Sequence, residues 1–279
     1  LKRANPQDLL RGTDISTMES LKKLGFSDTM INRFFRPLVG GIQLDPQLKA
    51  SRRMFDVIFR TLAVGDSAVP AHGMGRITEQ LAQSLHSTPI HLNTRVMSTT
   101  PGSVTLENGH TISAHAIVVA TEGPAASSLL SLPAVASQAA GAVYFAAPTS
   151  PIEGSYIVLD GEGHGPVYNV AVMSQVSPHY APYGQHLIAA ALPGLVDGDI
   201  EAAARRQLRG WWGAQVDEWR HLRSYRIPHG QPGQTSPFNP HERVALGEGM
   251  FVCGDHRDTA SIQGAMYSGR RCAESVAEW

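Results

Sequence analysis

The sequence is poor in lysine. It contains four lysines against 19 arginines, and no lysine follows Lys49. Schiff-base chemistry and lysine general-base chemistry both need a lysine amine, so most of the chain is excluded from them. The net charge is −1 and no run of basic residues occurs, which gives no reason to expect nucleic acid as a partner.

Cysteine is almost as scarce. Cys253 and Cys272 are the only two, and each lies among apolar or small residues. Two cysteines are too few for a disulfide framework, so we predict two buried packing thiols. This cysteine usage also favours a reducing compartment, such as the cytoplasm or an organelle stroma.

Membrane-spanning and secretion signals are missing as well. No stretch of about 18 apolar residues occurs, so we predict no transmembrane segment and leave peripheral membrane contact open. The residues that follow Leu1 lead into polar sequence rather than an apolar core, which argues against a signal peptide. We therefore predict a soluble protein.

Two kinds of active site find no support in the sequence. The 12 histidines are scattered without metal-ligand spacing, so we predict no metal site. No Gly-x-Ser-x-Gly pattern surrounds Ser261, which argues against a hydrolase. We assign no catalytic residue from the sequence.

What is present suits a folded protein with a sizeable core. The 279 residues are 42% hydrophobic and 17% charged, values that predict one large or two medium domains.

The first 60 residues favour helices. Ser16 and Glu19 form a capping-box pattern at the start of one helix, and Ser27 can cap the next. We expect Pro37 to end that second helix, Gly40-Gly41 to turn the chain, and apolar residues in 54–62 to mark a third helix.

Strands are predicted after about residue 90. We expect short strands near 90–92 and 104–106, and a type I′ hairpin turn at Asn108-Gly109. The apolar run 116–120 is typical of a strand buried on both faces in a parallel sheet. Residues 126–240 favour further strands, with one helix over 200–212.

The most informative stretch begins at the apolar strand 250–253. It places Gly254-Asp255 at the carboxyl end of the strand, where ligands bind in α/β sheets, and a helix follows from about Ser261. Asp255 can accept hydrogen bonds from a polyol, and the helix N-terminus suits an electron-rich carbonyl or an anion. The alternative is a plain strand-ending turn followed by a tightly packed helix.

These residues bring a resemblance with them. Gly254-Asp255, Ser261, Gly264-Ala265 and Ser268-Gly269, running into an Ala-rich helix, resemble the C-terminal FAD motif of flavin-containing amine oxidases, protoporphyrinogen oxidases and phytoene desaturases. Other stretches resemble the same family in the same order: Phe34-Phe35-Arg36-Pro37, Gly73-Met74-Gly75, Asn93-Thr94-Arg95-Val96, Leu106-Glu107-Asn108-Gly109 and Ile117-Val118-Val119-Ala120-Thr121.

The resemblance implies FAD as the cofactor, with binding positions at Val96, Thr121, Gly254, Asp255, Ser261, Gly264, Ala265 and Met266. Asp255 would hold the ribityl or phosphate region, and residues 264–266 would lie against the pyrimidine edge of the flavin. The main chain of Val96 would contact the adenine, and Thr121 would lie near the adenosine and pyrophosphate.

One part of the family pattern has no counterpart in this sequence. The family opens with a strand, Gly-x-Gly-x-x-Gly and a helix. Gly73-Met74-Gly75 has Thr78 in place of the third glycine, 161–165 has no helix after it, and 247–249 precedes a strand. We therefore interpret the chain as partial, and expect poor FAD affinity unless the opening segment is supplied.

The resemblance also bears on the substrate. Amine-oxidising members carry a Tyr just before the C-terminal Gly-Ala, where this chain has Ile262-Gln263, and they commonly carry a flavin-facing Lys. Both departures favour desaturation or oxidation of a small hydrophobic molecule by hydride transfer to flavin N5. Two alternatives remain: a non-catalytic scaffold that no longer binds FAD, and an amine oxidase.

Residues 225–232 allow two interpretations. They form a strand that places Tyr225 and His229 near the substrate, or a proline-ordered connection between domains, and we favour the connection.

The predicted fold is α/β, with a partial FAD-binding domain of the glutathione-reductase-like type interleaved with an α+β substrate domain built on a mixed sheet. The FAD domain would comprise 73–125 and 241–279. The substrate domain would take its helical part from 1–72 and its sheet from 126–240.

Overall fold

The computed structural model describes residues 1–11 and 13–279. The chain forms two compact units. Unit 1 comprises Leu1–His86 and Gln138–Gly230, and unit 2 comprises Ser87–Ser137 and Gln231–Trp279. The assignment of FAD-binding and substrate-binding roles to segments of the chain stays a prediction.

Helices and strands are both abundant, as the α/β prediction requires. The α-helices are α1 (Pro6–Arg11), α2 (Thr17–Lys23), α3 (Asp28–Met30), α4 (Arg52–Val64), α5 (Gly75–Gln83), α6 (Gly123–Leu130), α7 (Met173–Val176), α8 (Ile200–Trp212) and α9 (Ile262–Ala277). The strands are β1 (Val96–Thr100), β2 (Ser103–Leu106), β3 (Thr111–Ser113), β4 (Ile117–Val119), β5 (Ser137–Ala147), β6 (Ile157–Leu159), β7 (Asn169–Val172), β8 (His186–Pro193), β9 (Arg220–Pro232), β10 (Ala245–Gly247) and β11 (Met250–Val252).

Helices α2 and α3 of unit 1 begin where the capping residues predict. The Ser16 hydroxyl accepts a hydrogen bond from the N–H of Glu19, and that of Ser27 from the N–H of Met30. Apolar side chains of these helices form one core cluster: Leu21, Ile31, Phe35, Val39, Leu48 and Phe55. Burying each such side chain contributes about 2 kcal/mol, so this cluster holds the helices together.

Pro37 does not end the second helix, contrary to the prediction. The α3 turn continues into a π-helix, Ile31–Gly40, with Pro37 inside it. A π-helical turn is wider than an α-helical one and so accommodates the pyrrolidine ring as a bulge. Gly41 also keeps a helical φ of −67°, and the turn falls instead at Leu44, whose φ is 50°.

Unit 1 also contains a five-stranded sheet in the order β6-β7-β8-β5-β9. The ladders β6/β7, β7/β8 and β5/β8 are antiparallel. One face packs against α8 through a core that includes Phe145, Ile188 and Leu208, while Tyr144 and Leu187 alternate onto the opposite face. Residues 225–232 belong to β9, so they are a strand rather than only a connection, and the chain passes to unit 2 at its end.

Unit 2 is built on two small sheets. The strands β1, β2 and β3 form an antiparallel meander, and β10-β11-β4 form a mixed sheet in which β11 and β4 are parallel. Helix α9 packs on this second sheet through a cluster that contains Phe251, Cys253 and Cys272. Both thiols are free and buried, as predicted.

Two local predictions in unit 2 are wrong. Residues 90–92 form no strand. At the β2–β3 hairpin only Gly109 has a positive φ, of 82°, and its N–H donates to the carbonyl of Leu106. The turn is therefore centred on Glu107 and Asn108, one residue earlier than a type I′ turn would be, with Gly109 following in the left-handed conformation.

None of the described helices combines the length and the apolar character that crossing a membrane requires.

Candidate functional site

The parallel strands of unit 2 bring two of the predicted site segments to the same edge of the sheet. Val252 pairs with Val119, and the N–H of Cys253 donates to the carbonyl of Val119. The chain then continues to Thr121 on one strand and to Gly254 on the other. The Thr121 carbonyl oxygen lies 3.2 Å from the position that a Cβ on Gly254 would occupy.

Gly254 is required by its backbone and by its neighbours. Its φ is 149°, and a Cβ at this position would lie 2.6 Å from the His256 ring. The buried Ser268 hydroxyl accepts a hydrogen bond from the Gly254 N–H at 2.9 Å and lies 2.7 Å from the Gly254 carbonyl oxygen. Helix α9 thereby fixes the end of β11.

The first turn of α9 follows the β11 loop and is capped by a side chain. The Ser261 hydroxyl caps the helix by accepting from the N–H of Gly264 at 2.9 Å. A Cβ on Gly264 would lie 1.9 Å from the Thr259 carbonyl oxygen, so no other residue fits there without backbone movement. The N–H groups of Ile262 and Gln263 precede the first intrahelical donor, and both residues are exposed.

The loop between β11 and α9 is tied down by a buried carboxylate. The Asp258 side chain is 6% exposed, and its Oδ2 lies 3.2 Å from an Arg271 guanidinium nitrogen and 3.3 Å from His241 Nδ1. The Gln234 side-chain oxygen accepts from the N–H of Ala260. Sequence reasoning missed all four polar side chains. One feature of the sequence could have indicated them. Asp258 is a further charged residue after Asp255 and Arg257 in a glycine-rich motif.

Asp255 and His256 are the titratable groups closest to Gly254. Burial raises the pKa of Asp255, and the nearby Glu122 carboxylate raises it further. The His256 side chain is 1% exposed, and burial lowers its pKa to about 4, with a further contribution from Arg257. The imidazole is therefore neutral at pH 7, and its Nδ1 lies 4.0 Å from an Asp255 oxygen, beyond hydrogen-bonding distance.

Both ring nitrogens of His256 are buried without a hydrogen-bond partner in the described part of the chain. Buried polar groups in native proteins are almost always paired, so an unpaired imidazole next to a carboxylate and a glycine indicates a place that polar groups of a ligand complete. The donors and acceptors present, together with the two glycines, fit a cofactor with hydroxyl groups and a planar ring that carries carbonyls.

The other predicted positions are more dispersed. Ala265 and Met266 continue the first turns of α9, Ala265 partly buried and Met266 51% exposed. Val96 is half-buried at the start of β1, in the other sheet of unit 2. Tyr225 and His229 are exposed residues of β9 in unit 1.

The sequence matches the family of flavin containing amine oxidoreductases over residues 2–277. The chain belongs to this family. The match confirms the resemblance drawn from the C-terminal motif, and it makes the chain a member of a flavin-dependent oxidoreductase family.

Several solved structures are similar to this chain in fold. An oxidoreductase from Methanosarcina mazei has a TM-score of 0.71 and 14% identity, covering 96% of this chain and 70% of that chain. A candidate protoporphyrinogen oxidase from Exiguobacterium sp. 255-15 has a TM-score of 0.69 and 19% identity, covering 97% and 70%. A reduced UDP-galactopyranose mutase has a TM-score of 0.66 and 12% identity, covering 98% and 72%.

At these identities the likeness shows the fold alone, and it confirms the predicted fold class. No curated protein matches the chain.

Proposed function

We propose that this chain provides the flavin-ring half of an FAD-dependent oxidoreductase that oxidises or desaturates a small hydrophobic molecule. The observation that carries the proposal is the arrangement at the end of β11. A glycine without room for a side chain, a half-buried carboxylate and the capped start of α9 lie within one short segment, residues 254–264.

Each of these groups has a role toward FAD. The Asp255 carboxylate would accept hydrogen bonds from hydroxyls of the ribityl chain, and Gly254 would allow the chain to approach the backbone. The free N–H groups of Ile262 and Gln263, with the positive end of the helix dipole, suit a flavin carbonyl that gains electron density on reduction. Val96 and Thr121 would face the adenosine side.

The protein would bind and orient the substrate and would exclude water from the site. FAD, when bound, supplies the acceptor for a hydride from a substrate C–H bond. Ile262 and Gln263 replace the aromatic wall that an amine substrate would favour, and no lysine follows Lys49. Both differences favour an apolar substrate over an amine.

A titration of the purified chain with FAD tests the proposal. We expect weak binding that quenches flavin fluorescence, because the glycine-rich opening pattern has no counterpart in this sequence, and we expect Asp255→Asn to weaken it about a further tenfold, because the acceptor loses its charge. Asp197→Asn, which changes an exposed loop carboxylate of unit 1, is the matched control and should bind like the wild type.

A second candidate, a non-catalytic scaffold, is favoured by one observation. Strand β4 is the last strand of its sheet among the described residues, and Val118 on it is 45% exposed. A protein that carries the family's glycine-rich opening segment together with this chain and still binds no FAD supports the scaffold and contradicts the flavoenzyme. Binding that Asp255→Asn leaves unchanged contradicts the proposed site.

A further inference from the structure

Unit 2 brings the two cysteines of the chain together where α9 packs on β11. Both belong to the same buried cluster. The buried positions of α9 follow one another at four-residue spacing, so Ser268 and Cys272 lie on the same face of the helix. Ser268 binds the backbone of Gly254, and Cys272, one turn further along α9, meets the preceding residue, Cys253.

The two thiols are hydrogen-bonded and are not equivalent. Burial raises the pKa of Cys253, and a hydrogen bond from the Cys272 thiol lowers it in part. Burial and the neighbouring Cys253 raise the pKa of Cys272 to about 11. Cys253 is also the more accessible of the two, with 7% of its surface exposed against 1% for Cys272. Cys253 is therefore the thiol that ionises first and that a small oxidant reaches first.

The segment between the two cysteines, 254–271, is the one that carries the candidate cofactor site. It contains Asp255, the cap residue Ser261 and the start of α9. A covalent bond between Cys253 and Cys272 would join the two ends of this segment. Such a cross-link reduces the number of conformations open to the enclosed residues.

We propose that Cys253 and Cys272 are a redox pair that hydrogen peroxide converts to a disulfide, and that this disulfide closes the segment 254–271. The Cys253 thiolate attacks a peroxide oxygen, the O–O bond breaks, and a sulfenic acid and one water form. The Cys272 sulfur then attacks the Cys253 sulfur, the S–S bond forms, and the hydroxyl leaves with the Cys272 proton as a second water. The two thiols lose two electrons, and one peroxide gains them.

The pairing of the thiols distinguishes this arrangement from two packing residues. A single buried thiol is unreactive, whereas a second thiol in contact captures a sulfenic acid as soon as it forms. Hydrogen-bonded sulfurs need to approach by only about 1–2 Å to reach the length of a disulfide. A dithiol reductant reverses the bond by exchange. Slower exchange of FAD in the closed form is a consequence that rests on the function proposed above.

Oxidation of the reduced wild-type chain by hydrogen peroxide tests the proposal. Free thiols are labelled in urea with a maleimide and counted by mass spectrometry. We expect both thiols to disappear at one rate, peptide mapping to show a single intrachain 253–272 disulfide, and dithiothreitol to restore both thiols. Hydrogen exchange in 255–261 should be about tenfold slower in the oxidised chain, and exchange in α8 of unit 1 should be unchanged.

Two variants separate the roles of the thiols. In Cys272→Ser the sulfenic acid on Cys253 has no partner, so dimedone should trap at least about ten times more of it than in the wild type. In Cys253→Ser the Cys272 thiol should react about tenfold more slowly than it does in the wild type. Thermal unfolding of the reduced variants checks that they fold, and the wild-type measurement stands without them.

Thiols that survive peroxide in the folded chain and react only in urea would overturn the proposal. Oxidation of one thiol to a sulfinic acid, or disulfides between chains, would overturn it as well. Equal exchange of 255–261 in both forms would show that the disulfide does not close the segment. Because these measurements use no FAD, they are independent of the flavin titration. A disulfide in a protein that carries the opening segment and binds no FAD contradicts only the flavin site.

Discussion

His256 combines a buried imidazole with two ring nitrogens that lack partners among the described residues. Its pKa is about 4 in the folded chain, against 6.5 for a free histidine. Below pH 6.5 the unfolded chain binds a proton that the folded chain does not, so the free energy of unfolding falls as the pH drops from 6.5 toward 4. Above pH 6.5 the neutral imidazole makes its full contribution to the free energy of unfolding.

We expect His256→Phe, which keeps a planar ring and removes the titration, to flatten that pH dependence. The wild type should lose about 2–3 kcal/mol of stability across the window that the variant does not lose. Urea unfolding followed by tryptophan fluorescence at pH 4.5 and pH 7 measures the difference. His110→Gln, which changes an exposed histidine of the β2–β3 turn, should behave like the wild type. If the free energy of unfolding depends on pH in the same way in the wild type and in His256→Phe, the assignment of a buried, neutral imidazole is wrong.

Among the elements, the contact between β11 and α9 depends on one hydroxyl. Ser268 is fully buried and serves both the N–H and the carbonyl of Gly254. We expect Ser268→Ala to lower the free energy of unfolding by about 1–2 kcal/mol, because it leaves a part-buried N–H unpaired. Denaturant titration measures the change, and Ser98→Ala on the exposed face of β1 is the control. A variant as stable as the wild type would show that Ser268 does not fix the strand end.

Local signals explain which elements could be predicted from the sequence. The caps at Ser16, Ser27 and Ser261 act over three or four residues, so each is visible in the sequence and present in the structure. The π-helical bulge around Pro37 is not visible, because the choice between ending and widening a helix depends on distant packing. The Asn169 side chain, for example, donates to the Pro37 carbonyl from 132 residues away.

The residues of the candidate site also fall into two groups, those that a local pattern predicts and those that depend on tertiary packing. Gly254, Asp255 and Gly264 are part of a contiguous motif, and their backbone requirements follow from the strand–loop–helix pattern. The pairing of Asp258 with Arg271 joins the loop to the middle of α9, 13 residues on, and the burial of His256 depends on the whole loop. Such features are products of tertiary packing, which periodicity and capping patterns do not encode.

At the scale of the whole molecule, each compact unit has hydrophobic clusters of its own. Leu208 is fully buried in the core between α8 and the unit 1 sheet, and Val252 is fully buried in unit 2. Leu208→Ala should cost about 3 kcal/mol through the cavity it leaves. Since the lost contacts lie within unit 1, we expect hydrogen exchange measured by mass spectrometry to rise in β5, β7 and β8 and to stay unchanged in β4, β11 and α9.

Val252→Ala is the reciprocal variant, with increased exchange expected in unit 2 alone. A uniform increase in both variants would mean that the units unfold as one cooperative body, and cofactor binding in unit 2 would then stabilise the sheet of unit 1 by the same free energy.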